Sequence, residues 1–373
     1  TLFHIEEYKD TAMTVATDIL AIRLDHPENL MARYFSERYF SALSQDDQAR
    51  VLKIIKSGLD NPDSQMGAYA QHGGDYDDFA PLLEPMIRDY HKIAAGQGIA
   101  QKHDWSATTS PCSLEDIDEA LRDVSMRVRV GRNVAAFPLP GAMTKADRIE
   151  FEKVMIKAFD VLKDDPDFGG AYYSLTPKSA FELKGQAYQD RVDAHQMFKD
   201  MSGDRYLNSG GISSDWPFGR GMYISAAEDF IIWVGEEDHL RIMAMKRGGD
   251  LAGLFARLHV GLDKFSARVP AFAHSEKYGY ITSCPTNLGT AMRASLHMAL
   301  AKLTQGGQDL EAAKTVAQKF GLSVRGVGGE HSGAGQGGIV DISPSARLGI
   351  TESEIMHRLF DGAKALWALE KGA

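Results

Sequence analysis

The sequence predicts an α+β protein, helical at its N-terminal end and built on antiparallel strands thereafter. Three observations predict it. Up to about residue 105 the apolar residues recur at helical spacing. Beyond residue 118 they alternate with a period of two. The strand-like runs then follow one another through short connections, which suits a meander rather than βαβ units.

The elements follow in order. In 49–59, Val51, Ile54, Ile55 and Leu59 fall on one helical face, and Leu82, Leu83, Met86, Ile87 and Tyr90 do the same in the next helix. Between them, Asp60-Asn-Pro-Asp-Ser-Gln-Met-Gly-Ala-Tyr69 and the Gly/Asp-rich stretch behind it form a loop by composition. Residues 92–118 are polar and irregular, as a linker would be. Met126, Val128 and Val130 then point one way from a strand, and Arg127 and Arg129 the other. Runs 222–226, 229–234 and 239–245 read as consecutive strands. Helices are expected at about 145–163, 249–265, 291–303 and 309–320. The last helix begins at Thr351, with Glu354 completing a capping box, and buries Ile355, Met356, Leu359, Phe360, Ala363 and Trp367.

Composition narrows the function. A hydrophobic content of 44% with 25% charged residues is that of a soluble globular protein. A net charge of −10 argues against a nucleic-acid partner, whose phosphates need a basic face. It leaves room for a local arginine cluster gripping a small polyanion. Cys112 and Cys284 are too few for a disulfide framework or a metal site, so a reduced, cytoplasmic protein is expected. No apolar run approaches the ~20 residues of a membrane helix. The opening TLFHIEEYKD lacks the basic and apolar segments of a signal peptide.

Three segments carry chemistry. In Cys284-Pro-Thr-Asn-Leu-Gly-Thr290, Pro285 cannot continue a ladder and Thr286 and Asn287 are helix-capping types. An Ala/Met/Leu-rich run follows and reads as a helix. A thiol at its N-terminus, with Arg293 nearby, is expected to be a thiolate. In Trp233-Val-Gly-Glu236-Glu237-Asp238-His-Leu-Arg241, three acids follow an apolar strand; if strand geometry persists, Glu237 and Arg241 share a face. Between Gly326 and Gly338, seven of thirteen residues are glycine, which suits a mobile lid delivering Arg325 and Glu330. The GxGxxG match at 333–338 leads into the strand-like Ile339-Val-Asp-Ile342, so a dinucleotide fingerprint is not expected, and no Walker loop is present.

These segments, with RVRVGRN at 127–133, GRGMYIS at 219–225 and DISPSARLGITE at 341–352, resemble the phosphagen (ATP:guanidino) kinase family, and within it the arginine kinases most closely. SGLDNPDSQMGAYA at 57–70 and FAPLLEPMIRDYHK at 79–92 extend the resemblance to the N-terminal part. It implies a small all-α N-terminal domain, 1–105, and a larger catalytic domain, 106–373, with an antiparallel β-sheet flanked by α-helices. It also implies reversible transfer of the γ-phosphoryl group of MgATP to the guanidinium of L-arginine, in a monomer or homodimer that buffers ATP.

The resemblance assigns roles that physical chemistry can check. A guanidinium is a poor nucleophile, and a carboxylate pair, Glu237 and Glu330, would orient it and draw off a proton. Cys284 would lie against its non-reacting side. Arg127, Arg129, Arg241, Arg293 and Arg325 match the family's phosphate-binding arginines, and His195 a histidine that contacts the nucleotide. Mg²⁺ would be held chiefly by ATP oxygens and water. Ser64, Gly67 and Tyr69 would embrace the acceptor's amino-acid end, and Asp63 would pair with Arg205. The chain departs from the family at Gly235, commonly asparagine; at Gln65 and Met66, larger than usual; at Gly328, often arginine in arginine kinases; and in a lid one residue longer. The larger loop side chains leave taurocyamine or another guanidine as the alternative acceptor. A kinase of protein arginines would lack the N-terminal helices, and a non-catalytic nucleotide sensor would form no phosphoarginine.

Overall fold

The structure, a computed structural model, describes residues 2–106, 113–327 and 335–372, with side chains described from residue 13 on and that of Gln336 excepted. Cys112, Gly328, Glu330 and most of the glycine-rich lid lie outside the described residues.

Six helices open the chain, Leu2–Asp25, Leu30–Tyr34, Glu37–Ala42, Gln45–Asp60, Asp75–Asp78 and Ala80–His91. The sequence shows why the fourth begins where it does: Ser44 Oγ accepts the Asp47 amide at 3.1 Å, filling the N-cap. Val51, Ile54 and Ile55 are buried on its inner face, and Leu82, Leu83, Met86 and Ile87 on that of the sixth helix.

The second part is built on an eight-stranded sheet. Its strands are β1 (Val124–Arg132), β2 (Gly170–Ser174), β3 (Gly221–Ser225), β4 (Phe230–Val234), β5 (Leu240–Gly248), β8 (Met292–Ala299), β9 (Leu322–Gly326) and β10 (Ile339–Pro344). A separate two-stranded ribbon pairs β6 (His274–Ser275) with β7 (Gly279–Tyr280). The order in the large sheet is β2-β3-β4-β5-β1-β8-β10-β9, antiparallel throughout. Helices Lys145–Ala158, Leu251–Ser266, Glu311–Gln318 and Glu352–Gly372 cover one face of it. Thr351 and Glu354 form the expected capping box of the last helix, with backbone-to-side-chain bonds of 2.8 and 3.2 Å.

The register divides the sheet into two unlike faces. Val128, Val130, Ala244, Ala294, Leu296, Val324 and Ile342 point into the main core. Opposed pairs of an antiparallel ladder share a face. Arg129 stands opposite Arg293, Gly131 opposite Arg241, and Asp341 opposite both His297 and Arg325. The other face therefore carries Arg127, Arg129, Arg241, Arg293 and Arg325 as one row across four strands. At the β2–β5 end of the same face, Met222, Ile231, Trp233 and Met243 are roofed by Met197, Phe198, Leu207 and Ile212.

One expected helix is a strand. The run 291–303 has the composition of a helix, but Met292–Ala299 is β8, paired on both sides, with Met292, Ala294, Leu296 and Met298 buried. Its true period is two, with Arg293, Ser295 and His297 on the opposite face, and pairing between β1 and β10 outweighs the helical propensity of Ala, Met and Leu.

A second hydrophobic core joins the two parts. It contains N-terminal residues such as Phe40, Ile54 and Met86, together with Tyr278, Ile281, Cys284, Leu288 and Leu348 from the sheet-bearing part. The cysteine turn is thus packed by the N-terminal helices. Tyr76 donates its hydroxyl to Thr282 O at 2.7 Å, the Ala70 amide reaches Ser283 O at 2.8 Å, and His91 Nε2 lies 2.9 Å from Pro285 O.

Candidate active site

The acidic segment forms the turn of the β4–β5 hairpin. Strand geometry ends at Val234; Gly235 takes φ 78°, and its amide reaches His239 O at 2.9 Å. Glycine and asparagine are the residues that enter this left-handed region most readily, and glycine fills it here. In this chain a Cβ at 235 would come within 2.6 Å of Gly219 O. The expected shared face of Glu237 and Arg241 is not found, because the turn intervenes. Arg241 pairs instead with Glu236, at 2.9 Å.

The turn is held rigidly. Asp238 Oδ1 accepts from Asn133 Nδ2 at 2.8 Å and from the Ser283 amide at 2.7 Å. Ser283 Oγ donates to Glu237 O at 2.9 Å. His239 Nδ1 accepts the Val134 amide and its Nε2 donates to Pro138 O, so the ring is neutral; burial lowers its pKa to about 4. From beneath, the fully buried Arg220 donates to the carbonyls of Gly235, Ile212, Ser214 and Phe218 at 2.7–3.0 Å.

Glu237 projects from this frame toward the cysteine turn, where Asn287 Nδ2 donates to its Oε1 at 2.9 Å. Burial and the neighbouring Asp238 and Glu236 raise its pKa above the ordinary glutamate value, while Arg241 and Arg129 pull it back. A carboxyl in that balance readily exchanges its proton near neutral pH or stabilises an incoming cation.

Cys284 is buried, and its Sγ contacts Thr286 Oγ1 at 3.0 Å. The helix expected behind it is a single 3₁₀ turn, Pro285–Asn287, followed by a strand. Without a full helix there is no macrodipole to favour a thiolate, and burial with the Glu237 charge pushes the thiol up to about 12. This reverses the thiolate expectation.

Tyr69 lies against the same group. Burial first, then Glu237 and Cys284, raise its hydroxyl pKa well above the usual value. It is carried by the loop that also contains Ser64 and Gly67. Ser64 Oγ accepts the Gly67 amide at 3.0 Å, and Gln65 O and Met66 O accept the amides of Leu30 and Met31. Gly67 has φ 74°, and a Cβ there would meet Asn29 Oδ1 at 2.8 Å. Asp63 pairs with Arg205 as expected, and Tyr206 OH adds a bond to Asp63 at 2.8 Å.

Next to Glu237 begins the arginine row. Arg127 and Arg241 both lie over the Trp233 ring, at 5.4 and 5.5 Å. Burial, then Arg241 and Arg293, lower the pKa of Arg127 to about 10, and its buried Nε finds no hydrogen-bond partner among the described residues. Arg129 is lowered for the same reasons, by burial and by Arg241, Arg127, Arg293 and Arg347. Mutual repulsion among buried guanidiniums is relieved by a bound polyanion, and the row is suited to phosphates. His195 is exposed and lines an adjoining cavity of about 620 Å³ with Arg127, Phe198, Trp233, Glu236 and Arg241. A second cleft, of about 410 Å³, is lined by Arg293, Arg325 and Arg347 on one side and by Gln65, Arg33 and Asp89 on the other.

The structure thus brings together Glu237, Cys284, Tyr69 and the five arginines, with His195 at the rim. Glu330 lies outside the described residues. Sequence reasoning missed three participants. Asn287 was quoted only as a capping type. Asp341 accepts from Arg293 at 2.5 Å and also pairs with His297 at 3.2 Å. Arg347 is buried, donates to Thr286 O at 3.0 Å, and faces Arg129 and Arg293. An arginine inside the quoted string DISPSARLGITE was the available signal for it.

Comparison with known proteins agrees with this geometry. Residues 150–373 match the family ATP:guanido phosphotransferase, C-terminal catalytic domain, and residues 25–88 match its N-terminal domain. Arginine kinase of Artemia franciscana is 38% identical over 350 residues, 93% of this chain and 94% of that protein. Arginine kinase of Limulus polyphemus is 35% identical, with 93% of each chain covered. Among solved structures, the duplicated taurocyamine kinase from Schistosoma mansoni with bound transition-state-analogue components superposes with a TM-score of 0.81 at 29% identity, covering 95% of this chain. This chain spans 48% of that duplicated one. Lombricine kinase gives a TM-score of 0.80 at 27% identity, covering 92% of both chains.

Proposed function

The chain belongs to the ATP:guanido phosphotransferases, the phosphagen kinases, and from that membership we propose that it transfers the γ-phosphoryl group of MgATP reversibly to the guanidinium of L-arginine. The observation that carries the reading is the position of Glu237. It stands between Asn287, Cys284 and Tyr69 on one side and the head of the arginine row on the other.

Each residue then has one task. Arg127, Arg129, Arg241, Arg293, Arg325 and Arg347 hold the phosphates in a field that need not rearrange as charge moves toward the β-phosphate. Mg²⁺ enters with the nucleotide as part of the substrate, on phosphate oxygens and water. The described residues assemble no group of three or more metal-ligating side chains. Glu237 binds the acceptor's guanidinium through paired hydrogen bonds and takes a proton from the attacking nitrogen as transfer proceeds. Glu330, from the lid, completes the carboxylate pair. A bound guanidinium also reverses the electrostatics at Cys284, favouring the thiolate there. Ser64, Gly67 and Tyr69 hold the amino-acid end, and Asp63 with Arg205 and Tyr206 anchors their loop to the catalytic part. No described helix is long and apolar enough to cross a membrane; a cytoplasmic enzyme is part of the same proposal.

Taurocyamine is the second reading. Gln65 and Met66, larger than usual in the loop that holds the amino-acid end, motivate it, and Gln65 is exposed. Coupled ADP-release rates across a panel of guanidines separate the two. A higher kcat/KM for taurocyamine than for L-arginine would overturn the first choice, and no turnover on any guanidine would overturn both.

A further inference from the structure

One arginine of β1 takes no part in the row. Arg132, the last residue of that strand, is only 1% exposed. Its Nη1 donates to Gly131 O at 2.8 Å and to Thr290 O at 3.2 Å. The guanidinium lies on the Tyr280 ring, 3.4 Å from its centre, and the buried Nη2 finds no hydrogen-bond partner among the described residues. Burial lowers its pKa, against the pull of Tyr280 and the Glu352 carboxylate. Burying a cation with an unsatisfied N–H is costly, so the site must gain something from it.

The gain lies across the ladder. Ala291, between Thr290 and the first residue of β8, is buried and has φ 51°. A Cβ disfavours this left-handed backbone, which persists only where the surroundings over-determine it. Here the Gly131 amide donates to Ala291 O at 2.9 Å, one step beyond the Val130–Met292 pair. Arg132 then bridges the carbonyls of Gly131 and Thr290, which closes a ring of bonds around the Thr290–Ala291 peptide. From the other side, the Thr290 amide and Oγ1 both donate to Arg347 O, at 2.9 and 3.1 Å. Arg293 follows two residues after Ala291.

We propose, on the reading of the arginine row as a phosphate site, that Arg132 is a positioning residue for that row. It clamps the Thr290–Ala291 corner in its left-handed turn. The corner in turn sets Arg293 through the start of β8, and Arg347 through the carbonyl that Thr290 holds. The task suits a guanidinium, whose planar fork can stack on Tyr280 and bridge two carbonyls at once; a lysine ammonium on its flexible stem cannot do both. Without the clamp, Ala291 relaxes away from its left-handed conformation and the first residues of β8 move with it.

The test is a double-mutant cycle on the full chain: parent, Arg132→Lys, Ala291→Gly and the double variant, each titrated with ADP. In the parent background Arg132→Lys should weaken ADP binding about tenfold, the scale of one lost hydrogen bond to a charged group. Glycine takes a left-handed backbone without strain, so in the Ala291→Gly background the same change should cost about threefold or less. A loss as large there as in the parent would make the two positions independent, as for a residue that merely supports the core, and would overturn the proposal. Unchanged ADP affinity in Arg132→Lys would do the same. If Arg132→Lys alone does not fold, adding Ala291→Gly should restore folding; a double variant that also fails to fold assigns Arg132 to the core at large and overturns the proposal. A parent chain that binds no ADP would instead overturn the phosphate reading itself.

Discussion

Asn287 donates its side-chain amide to Oε1 of Glu237 at 2.9 Å, linking the cysteine turn to the acidic hairpin across fifty residues of sequence. The bond aims the carboxylate that the chemistry needs. It also couples that carboxylate to a turn which the N-terminal helices hold in place.

Glu237→Gln should lower kcat by about 10²-fold or more, the range of a lost general base, while ADP affinity stays nearly constant. Steady-state kinetics and a nucleotide titration check this. A variant that retains most of its turnover would remove Glu237 from the role.

The same substitution should change the pH dependence of stability. The folded-state pKa of Glu237 is raised, so its contribution is fully present below the unfolded value and is lost as pH rises through the folded one. A neutral glutamine escapes that loss. Thermal melts should therefore show Glu237→Gln more stable than the parent above neutral pH, with the gap closing toward pH 4. A gap that is constant with pH would contradict the raised pKa.

Asn287→Ala removes a donor that favours the ionised carboxylate. The acidic limb of kcat/KM for the acceptor should move to higher pH, and kcat should fall about tenfold, in keeping with a ~1.5 kcal/mol hydrogen bond to a charged group. Unaltered pH and rate profiles would show that the bond is incidental.

Arg293→Ala and Arg347→Ala should each weaken ADP binding by roughly 1.5–3 kcal/mol, the loss of a hydrogen bond to a charged group. KM for the acceptor, measured at saturating nucleotide, should change little. Equal ADP affinity in Arg347→Ala would remove it from the phosphate row.

Tyr76→Phe leaves the buried Thr282 carbonyl without its donor, at a cost of about 1–3 kcal/mol. Because that carbonyl lies two residues before Cys284, acceptor KM should rise along with the loss of Tm. A variant that loses stability with unchanged acceptor KM would confine Tyr76 to packing.

Much of this molecule could be read from residue order. The alternation in Met126–Val130 and the three apolar runs that became β3, β4 and β5 are local patterns, and so is the capping box at Thr351. The motifs that carry Glu237, Cys284 and the five arginines were equally visible. The strand at 292–299 was misread because its residues favour a helix taken alone, and only neighbours on both sides make a period of two the stable choice.

What the sequence determined by itself was the set of chemical groups and the local elements that carry them, since both depend on residue identity and short-range sterics. The tertiary structure decided which groups meet. It placed Arg241 on Glu236 rather than Glu237, Asn287 on Glu237, and Arg347 beside Arg129, and it denied Cys284 the helix that was expected to ionise it. These outcomes rest on strand register, a hairpin turn and a core shared by two distant parts of the chain. All three are fixed by long-range burial and pairing, which no window of adjacent residues contains.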